Sequence, residues 1–96
     1  MTDAVWPMDQ QTVLHEVLEV IEQGPHTAGA LTLYALVSTL EFDKAGFLFK
    51  LDKLRDLDPS QRRLAYQLME LMVAGEVANA TWQQSKARMD ELIRGA

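Results

Sequence analysis

Apolar residues recur along this chain at intervals of three and four, in five blocks separated by turn-forming residues. The most apolar block is residues 27–40, TAGALTLYALVSTL, in which no side chain is charged. Its Ala30, Leu33, Tyr34, Val37 and Leu40 fall on one face of a helix. Thr27 follows the Gly24-Pro25 break, and its hydroxyl can accept a hydrogen bond from an amide of the first turn. The opposite face carries Ala28, Thr32, Ala35 and Thr39, a stripe of small residues that would let a neighbouring backbone come close. A block this apolar must leave water, so it is expected to form the centre around which the other segments pack. Thr and Val also suit a buried strand, but no second strand is evident to pair with it.

The flanking blocks read as helices too. Over 9–23, Val13, Leu14, Val17, Leu18, Val20 and Ile21 share one face, His15, Glu16, Glu19 and Glu22 the other, and Asp9 stands at the cap position. A third helix over 44–56, capped by Asp43, would bury Phe47, Leu48, Leu51 and Leu54. Phe49 falls instead among Asp52, Lys53 and Asp56 on the polar side.

The strongest helix start is Asp58-Pro59-Ser60-Gln61. Asp is a preferred N-cap, Pro suits the first helical position because its missing N–H had no partner there, and Gln can complete a capping box. The helix over 59–75 has a stripe of Leu64, Leu68, Leu71 and Met72, widened by Ala65, Tyr66, Met69 and Val73. Arg63, Gln67, Glu70 and Ala74 mark its wet side. A last helix over 79–94, capped by Asn79, carries Trp82, Met89, Leu92 and Ile93. The pattern predicts an all-α fold, a compact single-domain bundle of about five helices over 9–96 behind a tail at 1–8.

Composition narrows the function. The chain has 96 residues and no cysteine, which excludes disulfides and thiolate metal ligands. The first nine residues carry no secretory pattern, and the longest uncharged stretch is too short and too interrupted to span a bilayer. A cytoplasmic protein that does not enter membranes is expected. The net charge of -5 is uneven: seven acids and no Lys or Arg lie in residues 1–43, whereas residues 44–63 hold six basic residues and three acids. The two regions could attract each other within one chain or between copies.

Candidate chemistry is sparse. His15, Glu19 and Glu22 line one helical face and His26 follows in a loop, but the His-Glu-x-x-His zinc pattern ends at Glu19 where its second His would stand. Ser38, Ser60 and Ser85 lie outside any nucleophile turn, and the five glycines never cluster to cradle a phosphate. Arg62 and Arg63 behind the turn at 57–59 are placed like the start of a recognition helix. The acidic chain and the neighbouring Asp52, Asp56 and Asp58 oppose nucleic acid.

The expected function is therefore non-enzymatic: a protein–protein interaction domain, adaptor or regulatory, without cofactor or metal, that pairs with a second copy as a homodimer. Phe49, Lys53, Tyr66, Val73 and Trp82 are the interaction candidates, as aromatic or apolar groups at the edges of their faces and a cation that could meet Asp52 or Asp56 of a partner. The alternatives are a helix-turn-helix-like nucleic-acid-binding regulator and a small enzyme or metal-binding bundle.

Overall fold

The computed structural model describes residues 9–41 and 50–95. They form α1 (Gln10–Gln23), α2 (Ala28–Glu41), a short 3-10 segment (Leu51–Asp56), α3 (Pro59–Val73) and α4 (Ala80–Gly95). Among the described residues there is no strand, and no helix is long and apolar enough to cross a membrane. The fold is all-α. The tail at 1–8 and residues 44–49 of the expected third helix, Phe47, Leu48 and Phe49 included, lie outside the described residues, as does Asp43.

Each α-helix starts where its cap residue dictates. The Asp9 carboxylate accepts from the Thr12 amide at 2.8 Å, and the Thr27 hydroxyl accepts from the Ala30 amide at 3.2 Å. Asn79 Oδ1 accepts from the Trp82 amide at 3.0 Å. At α3 the capping box is complete: Asp58 accepts from the Gln61 amide at 2.8 Å, and Gln61 Oε1 accepts from the Asp58 amide at 3.2 Å. The end of α3 is a Schellman turn, with the Glu76 amide donating to the Leu71 carbonyl and the Gly75 amide to that of Met72. Gly75 takes the left-handed φ of 78° that this turn requires.

Side-chain ties between helices give the topology. Gln10 Nε2 donates to the Glu76 carbonyl and to Asn79 Oδ1, Arg88 meets Glu22 at 3.4 Å, and His26 lies 3.1 Å from the Ile93 carbonyl. Partners at the start of α1 sit at the start of α4 and later ones sit later, so α1 and α4 run in the same direction. Trp82 reaches Glu41 and Tyr34 reaches Asp90, so α2 and α4 run oppositely. Gly29 in the first turn of α2 faces Gln61 in the first turn of α3 so closely that a methyl there would come within 2.5 Å of the amide. The order is up-down-down-up. The 3-10 segment that precedes α3 packs against α2. Two helices each way let the axial dipoles oppose one another.

The core corrects four expectations. The central helix is α1, not α2: it packs against α2, α3 and α4, and its Val13, Leu14, Val17 and Ile21 are sealed from solvent. Among the described residues, no α-helix covers the Ala28 and Ala35 face of α2, which borders the 3-10 segment. Gln67 was assigned to the wet side of α3 but is fully buried, since it lies beside the Leu64–Leu71 line that α1 and α2 cover. Met72, placed in the α3 stripe, is 46% exposed, being in the last turn and off that line. Leu51, expected inside, is 72% exposed: it opens the 3-10 segment, and only Leu54 reaches the core.

Candidate interaction surfaces

The interaction candidates separate into different places. Trp82 is not a surface anchor: it is 0% exposed, and its indole N–H donates to Glu41 at the end of α2 at 3.2 Å. Lys53 borders a groove on α2 and lies 4.0 Å from Asp56 of its own chain. Tyr66 and Val73 stand together on the outside of α3, at 44% and 74% exposure. Phe49 lies outside the described residues.

The α2 groove is a concavity of about 650 Å³. Its floor is the small-residue stripe, Ala28, Thr32, Ala35 and Thr39, with Leu31, Tyr34 and Ser38 beside it. Lys50, Lys53 and Asp56 edge the far side. The stripe was expected to admit a neighbouring backbone; among the described residues no helix covers it. Along one margin, the Tyr34 hydroxyl donates to Asp90 on α4, and Lys86 lies 3.0 Å from the same carboxylate and 5.0 Å from the Tyr34 ring centre. Burial, reinforced by the hydrogen bond to Asp90, pushes the Tyr34 phenol up. Burial alone would push Asp90 up as well, but the hydrogen bonds from Tyr34 and Lys86, with the charges of Lys86 and Arg94, hold it below the usual carboxylate range. The cluster is closed on itself and clasps α2 to α4.

The outer face of α3 is different in kind. Helical spacing puts Tyr66 at its middle, Val73 and Pro59 seven residues to either side, and Arg62, Arg63, Met69 and Glu70 along its margins. Pro59, Arg63, Tyr66 and Val73 are exposed, while Arg62, Met69 and Glu70 are half-buried. Its charges run against the helix dipole, with cations near the N-terminus and an anion in the last turn. Among the described residues no ion pair engages Arg62, Arg63 or Glu70. Asp58 is held below the usual carboxylate range mainly by the Gln61 amide and the Ser60 hydroxyl, with a smaller contribution from the charge of Arg62.

The two histidines do not meet. His15 lies 3.8 Å from Glu19 on the exposed side of α1, and His26 is tied to the Ile93 carbonyl. Among the described residues, no three His, Cys, Asp or Glu side chains converge as a metal site would require. Arg63 and Glu70 of the α3 face were readable only as ordinary polar positions, because their meaning depends on Tyr66 and Val73 being left uncovered between them. Comparison with family models, characterised proteins and solved structures finds no match.

Proposed function

We propose that the chain is a non-enzymatic protein–protein interaction domain, adaptor or regulatory in kind, that associates with itself through the outer face of α3. One observation carries this reading: Tyr66 and Val73, both large and apolar, are exposed on a single helical line with Met69 beside them. Isolated exposed apolar residues are common on soluble proteins. An aromatic, a methionine and a valine on one face, with charges only at its margins, have the composition of an interface core and rim. Burying Tyr66 and Val73 is worth about 2 kcal/mol apiece, which suits a reversible contact rather than a permanent one.

The test is molar mass by sedimentation equilibrium between about 10 μM and 1 mM. The native chain is expected to rise from 10.8 kDa toward twice that mass, and Tyr66→Glu is expected to remain at the lower value with an unchanged circular-dichroism melt. A native chain that stays monomeric at about 1 mM, where association is worth only ~4 kcal/mol, ends the self-association reading.

Nucleic-acid binding has one observation in its favour, the exposure of Arg63 beside Arg62 at the start of α3. Asp56 and Asp58, both exposed, stand at the same end of the helix and repel phosphate. A gel shift with duplex DNA at low salt discriminates: no shift is expected at micromolar protein, and a salt-sensitive shift lost in Arg62→Ala/Arg63→Ala would favour the regulator instead.

A further inference from the structure

The residues of the α3 face are distributed about Tyr66 in a way that specifies how two copies meet. Arg62 and Glu70 lie four residues before and after it, Arg63 and Met69 three, Pro59 and Val73 seven. A two-fold axis at Tyr66, perpendicular to α3 and lying in the plane of contact, would set the two α3 helices antiparallel. Residues on the same flank of the seam then pair: Arg63 with the partner's Glu70, Arg62 with the partner's Met69, and Pro59 with the partner's Val73. We infer that α3 pairs in this register, with the two Tyr66 rings at the axis. This inference rests on the self-association reading above and adds its geometry.

Three features agree on the register. First, each Arg63 meets the Glu70 of the partner subunit, twice by symmetry, so charges without an ion-pair partner among the described residues gain one. Second, each Val73 meets a Pro59 and the stem of each Arg62 lies over a Met69, so apolar surface covers apolar surface along the seam. Third, the charge order that opposes the dipole of α3 itself, basic at the start and acidic in the last turn, becomes favourable beside an antiparallel partner. A parallel pairing about an axis along the helix would instead set Arg62 on Arg62 and Glu70 on Glu70, which repel. The contact is one helix face about 22 Å long, small for a stable interface, so association is expected in the upper micromolar range rather than the nanomolar.

The experiment is a charge swap read by sedimentation equilibrium, with circular dichroism to check folding. Arg63→Glu alone faces Glu70 of its copy, and Glu70→Arg alone faces Arg63, so each variant should dimerise about tenfold more weakly than the native chain. Mixing the two single variants restores both contacts in a heterodimer, and the mixture should associate at the native level. The double variant Arg63→Glu/Glu70→Arg should recover native association as well. The absence of cysteine allows an independent check with Tyr66 intact: Pro59→Cys mixed with Val73→Cys should form a mixed disulfide, and neither should readily form one alone. A native dimer whose single reversals associate normally, or whose Val73→Cys chain cross-links with itself, overturns this register while leaving self-association in place. A native chain that is monomeric at about 1 mM overturns both.

Discussion

The hydroxyl of Tyr34 on α2 donates to the carboxylate of Asp90 on α4, across 56 residues of sequence, and Lys86 closes the group from the next turn of the same helix. The contact contributes at both the acid and the alkaline end of the pH range. Asp90 is held below the ordinary carboxylate value, as are the caps Asp9, chiefly by the Thr12 amide, and Asp58, chiefly by the Gln61 amide. A depressed carboxylate contributes stability that is present above its unfolded pKa and lost as pH falls through the folded one. Tyr34 is raised, so its contribution is present below about pH 10 and is lost as pH climbs past that value. Urea midpoints should therefore be flat near neutrality, fall below about pH 4 and fall again above about pH 10. Tyr34→Phe should lower stability by about 1 kcal/mol at pH 7 and lessen the alkaline fall. An alkaline limb identical to that of the native chain would remove Tyr34 as its cause.

Gly29 and Gln61 should behave as a coupled pair. A methyl at position 29 would come within 2.5 Å of Gln61 Oε1, the atom that closes the α3 capping box. Gly29→Ala gains helix propensity, worth at most about 1 kcal/mol, but expels that side chain, so alone it should be neutral or slightly destabilising. In a Gln61→Ala background the obstruction is gone and the same change should stabilise. Equal effects of Gly29→Ala in the two backgrounds, measured by denaturant titration, would show that the amide moves aside at no cost.

Trp82 tests the difference between packing and hydrogen bonding. It is fully buried, so Trp82→Ala should cost about 3–5 kcal/mol, enough to unfold most of a marginal domain. Trp82→Phe retains much of the volume and gives up the bond to Glu41. Glu41→Gln should preserve that bond and change little, and a large loss there would mean that the charge, rather than the acceptor, matters.

Ala78, in the turn before α4, has φ of 68°, a conformation that costs a residue with a Cβ about 1–2 kcal/mol. Ala78→Gly should therefore raise stability by roughly 0.5–1 kcal/mol after the larger chain entropy of unfolded glycine is offset. A lower thermal midpoint would show that the methyl makes a compensating contact.

The parts of the fold that were legible in the sequence are those governed by neighbours in the chain. Asp9, Thr27, Asp58 and Asn79 cap the helices because a cap needs only an oxygen and an amide two or three residues on. The apolar face of α1 was readable for the same reason. Gln67, Met72 and Leu51 were misassigned because their surroundings come from other helices: periodicity marks a face, and only the packing decides how much of it is covered. Tyr66 and Val73 were noticed as surplus to the α3 stripe, and they are exposed. Trp82 was grouped with them, although it is fully buried and bonded to Glu41.

The shared direction of α1 and α4 has a kinetic consequence. Two helices running the same way cannot be joined by a tight turn, so their contacts wait on the closure of a loop more than sixty residues long, as the separations between Gln10 and Asn79 and between Glu22 and Arg88 record. Contacts between α1 and α2 need only the short turn at Gly24-Pro25 and can form early, whereas docking of α4 carries most of the chain-closure entropy. Folding should accordingly be slower than in a bundle of antiparallel neighbours of equal length. Burial of the Trp82 indole, followed by fluorescence in a Trp6→Phe background, should then report the last step, after most of the helical circular-dichroism signal has appeared.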